Sequence, residues 1–167
     1  MRKVIISLVL ILSAMTAEAQ IEKFQALFMY KFVQNLEWPS DKEFDNYMIG
    51  VIGDDGFKTA ITDLVKGRSV KGKPIEVVDY IPGASTGKYH LIFIGDKSKN
   101  IFEATKKQAI KTATVLVTES SGLGQKGATI NFITVGGALK FEMNETTLSA
   151  SDVKASGSIK SLAKIIN

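Results

Sequence analysis

The sequence predicts an α/β domain: a mixed sheet of about five to six strands, covered by helices on both faces, in three layers. Three observations carry this. Apolar runs of strand length recur at residues 48–52, 74–80, 90–95, 114–118, 128–133 and 138–143. Helical periodicity falls between the earlier runs, which implies crossovers between parallel strands. The last two runs are joined by Gly136-Gly137, a pair that suits a tight hairpin and makes the sheet mixed. The expected order is α-β-α-β-β-α-β-β-β-α.

Each element has its own signal. Phe24, Phe28, Phe32 and Leu36 recur every four residues, with Ile21 and Met29 beside them, and predict a first helix with that face in the core. Pro39 ends it, because the proline ring clashes with a continuing helix and holds Trp38 extended. Residues 48–52 leave a buried strand into Gly53-Asp54-Asp55-Gly56. Phe57, Ile61, Leu64 and Val65 fit one face of a helix stopped by Gly67. The unbroken apolarity of residues 90–95 predicts a central strand covered on both sides. A polar helix spans 98–111. In the sixth strand Leu139, Phe141 and Met143 alternate with Lys140 and Glu142, which predicts one buried and one wet face. Ile159, Leu162, Ala163 and Ile166 stand at i, i+3, i+4 and i+7 and predict a closing helix.

The N-terminus of the 167-residue chain reads as a leader. Arg2 and Lys3 precede an apolar run over residues 4–15, and Ala17-Glu18-Ala19 stands before Gln20. A positive start, a short apolar run and a small-x-small triplet define a secretory signal peptide, here residues 1–19, with cleavage between Ala19 and Gln20 and a single domain over 20–167. The run is shorter than the ~20 residues that span a bilayer. The absence of cysteine excludes a lipid anchor at the cleavage site and any disulfide. The net charge of +4 is spread along the chain, without the basic stripe and interleaved aromatics of a nucleic-acid binder.

Motifs that suggest chemistry fail on context. Gly122-Leu123-Gly124-Gln125-Lys126-Gly127 matches G-x-G-x-x-G, but a strand rather than a helix follows, so no helix N-terminus is there to hold a pyrophosphate. The segment from Gly67 to Gly72-Lys73-Pro74 nearly matches a phosphate loop, but Pro74 replaces the magnesium-binding hydroxyl and the helix precedes the loop. One histidine and no cysteine leave only carboxylates for a metal, without ligand spacing. His90 opens an apolar strand, where a backbone hydrogen bond is the ordinary role. No cofactor is expected. The aromatics off the core face are more informative. Tyr30 lies nearly opposite Phe32, and Trp38 is the sole tryptophan. Exposed aromatics are where binding hot spots concentrate.

A family resemblance emerges from the series as a whole. Phe28-Met29-Tyr30-Lys31-Phe32 followed by Glu37-Trp38-Pro39 resembles the opening helix of the YfiR family. Ile49-Gly50-Val51-Ile52-Gly53, Lys73-Pro74-Ile75-Glu76-Val77 and Tyr89-His90-Leu91-Ile92-Phe93-Ile94 resemble its first three strands. Gly127-Ala128-Thr129-Ile130-Asn131-Phe132 and Leu139-Lys140-Phe141-Glu142-Met143-Asn144 resemble its paired strands ending in Phe-Glu-x-Asn. Residues 156–166 resemble its closing helix.

The resemblance implies a periplasmic regulator rather than an enzyme. Its partner would be the periplasmic domain of an inner-membrane signalling protein, a diguanylate cyclase in the namesake system. An outer-membrane lipoprotein would relieve the restraint, and cyclic-di-GMP and biofilm would be the output. A homodimer is compatible with it. Tyr89 stands where many members carry cysteine, so redox control through that position cannot operate here. Tyr30, Trp38, Pro39, His90, Glu142 and Asn144 are the candidate partner- or ligand-binding residues. Asn144 also suits an N-cap ahead of Glu145-Thr146-Thr147. A small-molecule-binding module feeding a sensor kinase is the alternative, and an exported hydrolase using His90 with a serine comes third.

Overall fold

The computed structural model describes residues 2–39 and 44–167, with side chains from residue 19 onward. Of the expected leader, the side chains of residues 1–18 lie outside the described residues. Helix α1 (Arg2–Asn35) leads into β1 (Leu36–Glu37). Then come β2 (Tyr47–Ile52), α2 (Asp55–Val65), β3 (Ser69–Val70) and β4 (Lys73–Asp79). A 3-10 turn, Thr86–Lys88, precedes β5 (Leu91–Ile94), and a 3-10 stretch, Asp96–Ile101, runs into α3 (Phe102–Lys111). The chain continues through β6 (Val115–Thr118), β7 (Ile130–Val135), β8 (Ala138–Asn144), α4 (Glu145–Ala150), β9 (Lys154–Ala155), α5 (Gly157–Lys160) and β10 (Lys164–Ile166).

Among the described residues the main sheet has eight strands in the order β10-β8-β7-β6-β5-β2-β4-β3. Strands β4, β2, β5, β6 and β7 run parallel, while β8 is antiparallel to β7 and β10 is parallel to β8. The sheet is therefore mixed, as expected, but larger than the expected five to six strands. The extra ones are β3 and β10, two and three residues long, too short to show a period of two. A further antiparallel pair joins β1 to β9.

Strand alternation divides the core. Leu91, Phe93, Val115 and Val117 join the larger apolar cluster with Phe32 of α1 and Phe57 of α2. Ile92, Ile94 and Leu116 join a second cluster with Phe102 and Ala109 of α3. Because successive side chains leave opposite faces of a strand, α1 and α2 cover one face and α3 the other. All four residues of β5 are buried, in agreement with a central position. The hairpin between β7 and β8 turns on Gly136 (φ 58°) and Gly137 (φ 79°), the pair of positive angles that a two-residue turn of matching twist requires.

Three local expectations are corrected. The buried stripe of α1 is Ala26, Met29, Phe32 and Val33, continued by Leu36 of β1, whereas Ile21 and Phe24 are exposed. A strict spacing of four drifts by about 40° per step on a helix of 3.6 residues per turn, so Phe24 and Leu36 cannot share a face. The helix also ends at Asn35, before Pro39 acts, because Leu36 and Glu37 pair with Ala155 and Lys154. The tail is not one helix. It stops at Lys160, and Lys164, Ile165 and Ile166 pair with Glu142, Met143 and Asn144 at the sheet edge. Leu162, expected in the core, is 55% exposed.

Phe32 is fully buried, with its ring centroid 5.0 Å from that of Phe141 and 6.1 Å from that of Phe132. Phe32→Ala should lower unfolding stability by about 3–5 kcal/mol, because a cavity opens between helix and sheet. Phe24→Ala should stay within about 0.5 kcal/mol. Urea denaturation of both variants, compared at equal slope, checks the pair.

Candidate functional site

The six sequence-derived residues fall in three places. Trp38 and His90 come together. His90 precedes β5, and its backbone N–H donates to Met48 O. Its Nδ1 accepts from Met48 N at 3.1 Å. The imidazole is 2% exposed and meets Trp38 edge-on, 5.1 Å between centroids at 85°. Tyr47 and Phe44 lie 4.8 and 4.9 Å from it. Trp38 is itself buried, and its indole Nε1 has no hydrogen-bond partner among the described residues. This cluster locks the start of β5 to β2. The Nδ1 lone pair is committed to the backbone, which removes that nitrogen as a general base.

Glu142 and Asn144 form the second place, at the end of β8. The alternation of β8 predicts a wet Glu142, but it is buried. Its Oε1 accepts from Lys164 Nζ at 3.0 Å and its Oε2 from Asn131 Nδ2 at 3.3 Å. Asn131 Oδ1 in turn accepts from Thr118 Oγ1 at 2.7 Å. The glycine loop between β6 and β7 closes over this chain. A Cβ at Gly124 would lie 2.5 Å from Glu142 Oε2, so the loop approaches only because that side chain is absent. Asn144 Oδ1 accepts from Thr147 N and caps α4, while its Nδ2 donates to Gly124 O at 3.0 Å. The G-x-G-x-x-G motif therefore packs against a buried polar network, and β7 follows it.

Tyr30 and Pro39 are the third group. Tyr30 is half-buried beneath the guanidinium of Arg68, 5.4 Å from the ring centroid, and Pro39 is exposed. The phosphate-loop-like segment holding Arg68 forms the β3–β4 hairpin.

An exposed apolar face lies elsewhere on α1, and it includes Ile21 and Phe24, both expected in the core. Ile21, Phe24 and Leu27 are 45%, 48% and 40% exposed. Ile21, Phe24 and Phe28 face Gly137, Ala138 and Leu139 of the hairpin across an apolar groove of about 540 Å³. Contiguous exposed apolar surface on a folded protein marks an interaction site. The four-residue drift of the aromatic series was the available signal, since it places Phe24 off the stripe that holds Phe32. Among the described residues no helix is long and apolar enough to cross a membrane, and no group of three His, Cys, Asp or Glu side chains could hold a metal ion.

Residues 22–164 match the family model described as YfiR/HmsC-like. The chain belongs to the YfiR/HmsC-like family. The match spans the sheet from β2 to β8, with the β7–β8 hairpin and residues 22–35 of α1. No match of significant similarity was found among curated proteins.

At the carboxyl ends of the parallel strands, Ser120 Oγ donates to Asp96 Oδ1 at 2.8 Å, and Lys99 Nζ lies 3.1 Å from the same oxygen. The Ser120 hydrogen bond, with Lys99 second, holds the Asp96 carboxyl below its ordinary value of 3.8. A carboxyl lowered in the folded state stabilises the fold above the ordinary carboxylate range. That contribution is lost as pH falls through the folded value. Ser120→Ala should move the Asp96 midpoint upward in a carboxyl NMR titration. Asn144→Ala removes a cap and leaves the Gly124 carbonyl without its donor. It should cost about 2–3 kcal/mol by thermal or urea unfolding.

Proposed function

We propose that this protein is a periplasmic regulator that docks on the outer-facing domain of an inner-membrane signalling protein of the diguanylate cyclase kind, and so restrains cyclic-di-GMP output and biofilm formation. Membership of the YfiR/HmsC-like family supports the class of function. The observation that carries the docking is the exposed ridge of Ile21, Phe24 and Leu27 beside the β7–β8 hairpin. Such a ridge has an aromatic anchor at its centre and a groove beside it, the arrangement in which binding energy concentrates.

Docking regulates only if the ridge binds one state of the partner better than the other. A competitor, an outer-membrane lipoprotein in this reading, relieves the restraint by occupying the same ridge. Of the six sequence-derived residues, Trp38, His90, Glu142 and Asn144 are buried and support the surface from within. Tyr30 and Pro39 remain accessible to a partner. Export through the residue 1–19 leader sets the compartment and places the ridge immediately after the cleavage point at Ala19-Gln20.

Phe24→Asp should abolish co-purification with a membrane cyclase that carries a periplasmic domain, and should raise cyclic-di-GMP to the level of a deletion strain. The variant's circular dichroism and melting temperature should match the unmodified protein, because Phe24 lies outside the core. Unchanged cyclic-di-GMP in the deletion strain would count against the reading.

A further inference from the structure

A crevice of about 550 Å³ opens at the carboxyl ends of β2, β5 and β6, beside residues 21–25 of α1. That size lies within the roughly 300–1,000 Å³ of small-molecule sites. Its place in the fold is also one where open α/β sheets take ligands. The chain leaves β2 for β4 on one side and later places β5 on the other, so the strand order reverses there.

The lining is acidic. Glu22 comes from α1, Asp54 and Asp55 from the end of β2 and the start of α2, Asp96 from the end of β5 and Glu119 from the end of β6; among the described residues Lys97 is the cation in the lining, and Lys99 reaches Asp96 from outside it. The α2 N-terminus offers no opening for an anion. Asp54 Oδ1 already accepts from Phe57 N, and a Cβ at Gly56 would collide with the Glu22 carboxylate, so the protein's own acids fill that end.

A second observation comes from Gln25. It sits on the buried side of α1, 2% exposed, and it lines the crevice. Its Nε2 donates to Glu119 Oε2 at 2.9 Å, across the crevice wall. Its Oε1, on the same amide carbon, is buried with no hydrogen-bond partner among the described residues. Buried polar atoms are nearly always paired, and an unpaired acceptor beside carboxylates calls for a donor that carries positive charge. Glu119 Oε1 is already oriented by Asp96 N at 3.0 Å. The carboxylates are spread along the crevice, and no three of the described acidic side chains could hold a metal ion. That distribution suits an extended organic cation.

The geometry points to a binding site for a small organic cation, of diamine size, whose ammonium donates to Gln25 Oε1 and lies against Glu119. This site shares Ile21 with the docking ridge, but neither Gln25 nor Glu119 belongs to that ridge, and its test does not involve the cyclase. Titration calorimetry of the purified protein with 1,4-diaminobutane, 1,5-diaminopentane and agmatine, at fixed ionic strength, should give saturable binding to one or more of them. Gln25→Met, which keeps the length of the side chain but removes the acceptor, should weaken that binding about tenfold or more. Glu119→Gln, at the partly exposed wall, should weaken it as well and guards against a folding defect in the first variant. The amide NMR signals of Gly53, Gly56 and Asp96 should shift on titration. No saturable binding of any of the three probes, an equal response to magnesium chloride, or undiminished affinity in both variants would overturn the proposal.

Discussion

The seating of α1 on the sheet is the contact on which the rest depends. Ala26, Met29, Phe32, Val33 and Leu36 are all buried, and Phe32 and Phe28 meet Phe132 and Phe141 in one aromatic cluster. A helix docked along one stripe has its rotation fixed by packing, since side chains on a close-packed face cannot move without opening voids. Everything else on α1 follows from that rotation. Ile21, Phe24 and Leu27 are turned outward, and Gln25 is carried to the crevice at the strand ends.

The opposite end of the helix is held by polar contacts. Asn35 O accepts from Ser156 N, and Asn35 Oδ1 accepts from both Ser156 Oγ and Ser158 Oγ at 2.9 Å. The C-terminal segment thus ties the end of α1 before entering the sheet as β10. Lys164 then reaches the buried Glu142, whose other oxygen is bonded to Asn131. A buried carboxylate is tolerated because each oxygen has a donor. Through Asn144 and Gly124 the same region holds the glycine loop. The sheet edge, the loop and the short helix α4 are therefore one connected unit.

Much of the fold was legible in the chain. The central strand at Leu91–Ile94, the hairpin at Gly136-Gly137 and the amphipathic α2 each have a local signal strong enough to survive tertiary context. The cap at Asn144 was legible too, because a capping side chain bonds its own backbone three residues on. The short strands were not, since two or three residues gain their hydrogen bonds from a partner remote in sequence. Glu142 shows the same limit. Its alternation within β8 says outward and wet, but the outward side is covered by a loop some twenty residues earlier. The paired fate of Trp38 and His90 was equally invisible, because it depends on β2 and β5 lying side by side.

By itself, the sequence determined the class of the domain, the order of its principal elements and the series of motifs that marks its family. These are properties of local pattern: periodicity, turn residues and spacing. Only the tertiary structure decided which apolar residues became core and which became surface. On α1 both faces are apolar, so pattern alone assigns neither, and the assignment falls to the shape of the sheet on which the helix rests. The buried stripe that runs through Phe32 left Phe24 outside, and that choice made the ridge and set Gln25 in the acidic crevice.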